Sequence, residues 1–186
     1  NSTLYTTPFI VSLWSGWLLF SPHPDVPAVV AAVSFAEAEV GGVVAGLLQS
    51  ALSAIGQVMF LNSSVSGALL LAGLLIASRV AALFSCIAVI LSILIATLSG
   101  LPEVYIESGI YSYNAVLVVV ALCSQGDRSL VRLICGVFCG VCFAVLLTRL
   151  LQRCDVIPLT APFVMSIWLI AIFNGPKKRA ETVPVR

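Results

Sequence analysis

The sequence predicts an all-α integral membrane bundle, and two observations carry that prediction. Of its 186 residues, 60% are hydrophobic and 9% are charged, whereas a soluble domain has about 25% charged residues. Long apolar runs alternate with short polar breaks, and no run shows the two-residue alternation of a barrel strand. Too few polar side chains remain to coat a soluble globule, which excludes most cytosolic enzymes and nucleic-acid binders. The length allows about six or seven membrane segments.

The apolar runs give the expected helices in chain order. The first run covers residues 7–20 and ends at a loop with two prolines, Pro22 and Pro24. The later runs cover residues 40–60, 67–77, 80–98, 111–123, 130–151 and 158–173. Several of them are too short to cross about 30 Å of hydrocarbon at about 1.5 Å per residue. We therefore expect some helices to be shorter than a full membrane span.

The segment 102–109 is the clearest short helix. It starts with Pro102, which suits a first helical turn, carries Glu103 and Glu107 on one face, and ends in Gly109. A half-length helix is tolerated at membrane depth only where it is buried in protein or lines a watery cavity. The sequence therefore predicts a re-entrant helix. Its two glutamates either suit the N-terminus of that helix or are proton-coupling carboxylates.

The basic residues indicate an orientation. They gather at the ends of the apolar runs, and the cluster Lys177-Lys178-Arg179 directly follows the last run. Because basic residues are enriched on the cytoplasmic side of membrane helices, the C-terminus is expected to be cytoplasmic.

The six cysteines lie within or beside apolar runs, where cysteine packs as a small hydrophobe. Cys139 and Cys142 have C-x-x-C spacing, but no second ligand pair or nearby histidine completes a metal or redox site. We expect buried thiols. No metal, cofactor or catalytic constellation is expected.

The two ends of the chain contain an internal repeat. The nine residues that start at Thr6 match the nine that start at Thr160, with five identities at an offset of 154 residues. Each copy places a proline inside or at the opening of a helix, and a proline inside a helix frees a backbone carbonyl that only a protein interior or a cavity can satisfy. Repeated transporter folds bind their solute between the repeats.

The repeat divides the chain into parts. Residues 1–20 are expected to be the last helix of a preceding unit, 21–39 a linker, 40–173 a complete membrane repeat, and 174–186 a cytoplasmic tail. The missing first repeat is then expected in an earlier portion of the same protein or in another chain.

Four strings resemble the urea transporter family, and they occur in the family's order. They are Ala54-Ile55-Gly56-Gln57-Val58-Met59-Phe60 with Asn62 and Ser66-Gly67, Gly109-Ile110-Tyr111-Ser112-Tyr113-Asn114-Ala115-Val116-Leu117, Pro158-Leu159-Thr160-Ala161-Pro162-Phe163, and Thr6-Thr7-Pro8-Phe9. The resemblance implies two inverted halves, each of five spanning helices and one re-entrant helix. These halves enclose a pore within each protomer of a homotrimer in a cell membrane. It also implies passive, channel-like transport of urea and no enzyme activity.

The resemblance also implies the residues of the selectivity filter, in which oxygen acceptors meet the edges of the solute and flat apolar side chains press on its faces. The implied positions are Gln57, Phe60, Ile110, Tyr113, Leu117, Thr160 and Thr6. Urea is planar and neutral, and each of its N–H groups left without an acceptor in a dry slot costs a few kcal/mol. Neutral oxygens replace its water shell step by step, and conduction requires that none binds it tightly.

The sequence departs from the family pattern at three places. Ser112 stands where glycine is usual, and Ser63-Ser64 follows Asn62 where proline is common. Tyr113 replaces phenylalanine, which adds a hydroxyl that needs a partner. These changes leave the solute range open to larger amides or ammonia.

Other functions and roles stay open at this point. An ion-coupled secondary transporter of small polar solutes, with a glutamate of segment 102–109 as proton carrier, is one rival. A pore-less partner subunit is another. Gln57 alternatively forms a hydrogen bond between helices, and Phe60, Tyr113 and Leu117 alternatively belong to the ordinary core.

Overall fold

All regular secondary structure in the described part of the chain is helical. A computed structural model describes residues 6–20, 43–59, 61–125, 130–154 and 156–174. Within these ranges the helices are α1 Thr7–Phe20, α2 Val43–Gly56, α3 Ser64–Ala77, α4 Arg79–Leu98, α5 Glu103–Glu107, α6 Tyr113–Ser124, α7 Leu130–Arg153 and α8 Ala161–Asn174, with a 3-10 turn over Gln57–Met59. No strand occurs in them. The all-α prediction is confirmed, and the helix bounds follow the apolar runs closely.

Two of the helices are long and apolar enough to cross a membrane within the described ranges. They are α4, at 20 residues, and the part of α7 from Leu133 to Arg153, at 21 residues. The pair Gly46–Met59 and Ser64–Ala77, bent by 75° at its break, makes a third span if it is counted as one. The α6 and α8 helices are apolar but shorter. The expected mixture of full and partial spans is therefore present.

The bend between α2 and α3 depends on a close backbone approach. Gly67 of α3 lies directly against the backbone carbonyl of Leu52 in α2, so that any added Cβ would collide with that carbonyl. Small residues allow helix backbones to approach closely in membrane proteins. At the opposite end of α3, Ser78 is extended, and its side chain accepts a hydrogen bond from the backbone N–H of Ala81 at 3.2 Å. This cap begins α4.

The α6 helix lies at the centre of the packing. It contacts α2, α4, α7, α8 and the 3-10 turn, and most of its residues are buried. A helix that is apolar on all sides is typically buried in this way. The neighbouring face of α4 is lined with small side chains, at Ala81, Ala82, Ser85, Ala88, Val89, Ser92 and Ala96. The short side chains let α4 pack closely against α6, which in turn positions the residues at the N-terminal end of α6.

The α1 helix joins the rest of the described structure along one face, beside α8. The adjoining face of α1 differs from the equivalent face of α8. Phe9 is 44% exposed and its repeat equivalent Phe163 is 4% exposed, while Leu13 is 42% exposed and its equivalent Ile167 is 1% exposed. The α8 face is covered by α6 and α7, whereas Leu13 of α1 stays exposed.

The expectation of buried thiols is wrong. Among the free cysteines, Cys135, Cys139 and Cys154 are exposed, and Cys86, Cys123 and Cys142 are half-buried. An apolar run in a membrane carries apolar side chains on its lipid face as well as on its core face. Composition therefore does not distinguish an outward cysteine from an inward one.

Candidate functional site

The two repeat threonines meet in the structure. The Oγ1 atoms of Thr6 and Thr160 lie 2.7 Å apart and share a hydrogen bond. Each threonine stands immediately before a helix, and each backbone carbonyl accepts the first helical hydrogen bond at 3.1 Å, from Ile10 in α1 and from Val164 in α8. Two neutral hydroxyls therefore sit where two helix N-termini converge. Only one of the two hydroxyl hydrogens is used between them, because a hydroxyl donates once.

The loop before α8 is held by the N-terminal end of α6. The carbonyl oxygen of Leu159 accepts hydrogen bonds from the Tyr113 hydroxyl and, at 3.1 Å, from Asn114 Nδ2. Asn114 Oδ1 accepts from the backbone N–H of Phe163 at 3.3 Å. Leu159 has a left-handed φ of +45°, which is uncommon for leucine. This clamp fixes the backbone on both sides of Thr160.

Tyr113 thus has the hydrogen-bond partner that its hydroxyl was expected to need. Its side chain is 8% exposed, and its backbone N–H donates to the carbonyl of Gly109 at 3.0 Å. Leu117 lies four residues further along α6, on the same helical face. It also packs against the main hydrophobic core. The structure thus shows the core contact of Leu117, and its place in a filter stays a prediction.

Gln57 lies in the 3-10 turn that follows α2, and its side chain is 8% exposed. The turn packs on α6, where Val58 joins the cluster that contains Val116. No hydrogen bond links the Gln57 amide to another residue in the described ranges. The alternative prediction, that Gln57 forms a hydrogen bond between helices, therefore has no partner residue in those ranges. Gln57 approaches α6 and does not bond to the threonine pair.

Ile110 lies in the turn between α5 and α6. It is half-buried, and its backbone N–H donates to the carbonyl of Tyr105 at 3.2 Å. The preceding Gly109 has a φ of +73° and lies on the backbone of Ala54 in α2. A residue with a Cβ fits neither this conformation nor this contact. The close approach brings the turn that carries Ile110 to the C-terminal part of α2, where Gln57 follows.

The predicted helix 102–109 is present as α5 and the turn after it. Glu103 and Glu107 are exposed, and Ser108 and Gly109 are buried. The helix itself has only five residues, and its re-entrant course stays a prediction. Phe60, the linker 21–39, and the basic cluster of the tail lie outside the described residues.

The sequence reasoning missed the roles of Asn114 and Leu159. Asn114 stood in a quoted string without an assigned contact. It is fully buried, and a buried amide needs partners for its polar atoms. An asparagine inside an apolar run was therefore a usable signal. A second missed contact joins Trp14 Nε1 of α1 to the carbonyl of Ile157, at 3.0 Å.

Comparisons with known proteins agree with the family resemblance. The family model described as "Urea transporter" matches residues 2–175. Urea transporter 1 of Rattus norvegicus is 30% identical over 135 residues, which cover 67% of this chain and 34% of that protein. Urea transporter 1 of Ovis aries is 29% identical over 125 residues, which cover 67% of this chain and 30% of that protein.

The chain spans about a third of the length of the curated relatives that it matches. The family model nevertheless covers almost the entire chain, and apolar helices of spanning length accompany it. The chain is an integral membrane protein and belongs to the urea transporter family, whose members are transport proteins and not enzymes.

Proposed function

We propose that the protein conducts urea passively across a membrane, through a narrow slot lined by neutral oxygens and flat apolar side chains. The observation that carries this proposal is the contact of Thr6 with Thr160 at 2.7 Å, where two helix N-termini converge. Family membership and the name of the curated relatives support urea as the solute. The same site has no need of a metal or a cofactor for this function.

The chemistry of the threonine pair suits a neutral solute that carries many N–H groups. Hydroxyl oxygens accept hydrogen bonds and do not ionise. These oxygens can replace the water molecules around urea. They bind urea less strongly than a carboxylate binds a cation, so that the solute leaves as readily as it enters. The N-termini of α1 and α8 carry partial positive charge. A cation therefore meets both a desolvation cost and an unfavourable field at this point.

The proposed slot uses the remaining predicted residues around this pair. Tyr113 and Leu117 present one face of α6, and Gln57 supplies a further neutral acceptor from the turn packed on α6. Ile110 and Phe60 complete the set of proposed slot residues. The support for Ile110 is its half-buried position in the turn next to α2, while Phe60 rests on the resemblance alone.

We further propose that the missing first repeat covers the exposed face of α1. The support is the difference between one pair of repeat equivalents, since Leu13 is exposed where Ile167 is buried. A second unit like α6 and α7 would bury the α1 face as α6 and α7 bury α8. The solute would then pass between the two units, as in other repeated transporters.

The assembly and membrane of residence are proposals of the same kind. We propose a homotrimer in a cell membrane, either the plasma membrane or a bacterial inner membrane, with a cytoplasmic C-terminal tail. The trimer and the membrane rest on the family resemblance. The orientation rests on the cluster Lys177-Lys178-Arg179 and the tendency of basic residues to stay cytoplasmic.

The direct test is urea flux into proteoliposomes that contain the complete protein. Passive conduction predicts a flux that rises linearly with the urea gradient up to high concentration, without any proton or sodium gradient. Protein-free liposomes give the background. A flux that requires an ion gradient would contradict the proposal and select the ion-coupled transporter.

A further inference from the structure

We propose that the Tyr113 hydroxyl restricts the solute range of the slot by occupying the carbonyl oxygen of Leu159. This inference rests on the proposed function and adds a specificity-determining group to it. The sequence alone leaves the solute range open to larger amides, and the contacts of Tyr113 narrow that range. The inference follows from three features of the site: the hydrogen bonds at Leu159, the remaining lone pairs of the phenol, and the immobility of the ring.

The Leu159 carbonyl is saturated. A carbonyl oxygen has two lone pairs, and this one receives both the Tyr113 hydroxyl and the Asn114 amide, the latter at 3.1 Å. Leu159 directly precedes Thr160, whose hydroxyl bonds to Thr6. The carbonyl is therefore adjacent in the chain to the proposed acceptors, yet it has no lone pair left for an N–H group of the solute.

The phenolic oxygen takes the place of the carbonyl as an acceptor. After it donates to Leu159, the oxygen of Tyr113 keeps its own lone pairs. This oxygen extends further from α6 than a phenylalanine ring would at the same position. The slot thus keeps a neutral acceptor at this point but loses the space that the hydroxyl fills. A solute that exchanges an N–H hydrogen for a methyl group loses a donor and gains volume, and it is disfavoured on both counts.

The ring of Tyr113 is held in place and cannot turn aside to admit a larger solute. Its side chain is 8% exposed. Its backbone bonds to Gly109 at 3.0 Å, and its hydroxyl bonds to Leu159. A residue anchored at the backbone and at the tip of its side chain acts as a fixed wall.

The chain contains a matched control two residues away. Tyr111 is 1% exposed, and its hydroxyl donates to Gln152 Oε1 at 2.8 Å. Its ring meets that of Tyr105 edge to face, with centroids 6.5 Å apart. Tyr111→Phe removes the same atom from a buried tyrosine in the same segment, and it leaves the Leu159 carbonyl untouched.

The test compares the permeabilities of urea and N-methylurea by stopped-flow light scattering of proteoliposomes with the complete protein. Tyr113→Phe is expected to raise the ratio of N-methylurea to urea permeability by about tenfold, the lower end of the discrimination that space for one methyl group gives. Tyr111→Phe is expected to leave the ratio unchanged. Because Asn114 still donates to Leu159 in Tyr113→Phe, the variant keeps that carbonyl partnered and is expected to fold.

Several outcomes separate this inference from the proposed function. An unchanged ratio in Tyr113→Phe, with urea flux intact, overturns the inference and leaves urea conduction standing. An equal rise in Tyr111→Phe also overturns it, since the effect would then be one of general loosening. If Tyr113→Phe yields no folded protein, the two permeabilities are compared in the unaltered protein. Equal permeability to urea and N-methylurea in that protein overturns the inference. No urea flux above protein-free liposomes in the unaltered protein overturns the proposed function itself.

Discussion

Thr6 and Thr160 are 154 residues apart in the chain, and their hydroxyl oxygens lie 2.7 Å apart in the structure. They are also equivalent positions of the internal repeat. Two equivalent atoms of a twofold-related pair touch each other only close to the axis that relates the two copies. The contact therefore supports an arrangement in which α1 and α8 are symmetry mates, with the threonine pair near their axis.

Removal of either hydroxyl of the pair is expected to slow urea conduction. Thr160→Val and Thr6→Val should each lower urea permeability by about tenfold, since one lost hydrogen bond is worth about 1 to 1.5 kcal/mol. The double variant should be slower than either single one, because it removes both proposed acceptors of the solute. Proteoliposome flux measures all three.

The matched control for the threonine pair is Thr148→Val. Thr148 is fully buried, and its hydroxyl donates to the carbonyl of Ala144 in its own helix at 2.8 Å. Urea permeability should stay unchanged in this variant. If it falls as far as in Thr160→Val, loss of any buried hydroxyl explains the effect, and the pair has no special role.

Gln57→Leu is expected to lower urea permeability with little effect on folding. The side chain is buried and has no hydrogen-bond partner in the described ranges, so its replacement by leucine orphans no other group. The expected loss is about tenfold, for one acceptor removed. Gln125→Leu, at an exposed position after α6, is the control and should conduct normally. Unchanged flux in Gln57→Leu would remove this residue from the slot.

Urea flux is expected to be independent of pH. The proposed slot side chains are threonine and glutamine, which do not ionise, and tyrosine, which is neutral at physiological pH. Flux should therefore be level between about pH 6 and pH 8. Glu103→Gln and Glu107→Gln, at exposed positions of α5, should also leave it unchanged. A pH-dependent flux abolished by either change would instead support the ion-coupled transporter.

Gly109→Ala is expected to destabilise the protein. Its φ of +73° is unfavourable for alanine, and the added Cβ would collide with the backbone of Ala54. The strain should cost about 1 to 3 kcal/mol, which a fall in the thermal unfolding temperature in detergent would report. Gly73→Ala is the control, because nothing lies within 4 Å of its Cβ position. Equal melting temperatures for the two variants would refute the close packing of this turn.

The 186-residue chain by itself is expected to conduct no urea. Leu13 of α1 is exposed where its repeat equivalent Ile167 is buried, and the proposed first repeat would supply the wall of the passage on this side. Flux should appear only with the complete protein, measured at equal protein content. Full permeability from the 186 residues alone would show that the passage needs no further unit.

Helix positions were largely predictable from the sequence, and long-range contacts were not. The apolar run 80–98 became Arg79–Leu98, because a serine before it and a glycine–proline break after it mark its ends. The internal repeat identified the two threonines as equivalent positions. The contacts of Asn114 span 45 and 49 residues, and no local pattern encodes such distances. The left-handed conformation of Leu159 also lacks a signal, since leucine rarely adopts it.

The Asn114 clamp has a consequence for the temperature dependence of transport. It ties the loop before α8 to the buried α6 through hydrogen bonds to Leu159 and Phe163. In the proposed passage, a wall fastened in this way leaves no gate at that point, so we expect a solute to cross it without waiting for a conformational change. The activation energy of flux should then resemble that of diffusion through water and stay well below that of a carrier that must reorient in every cycle.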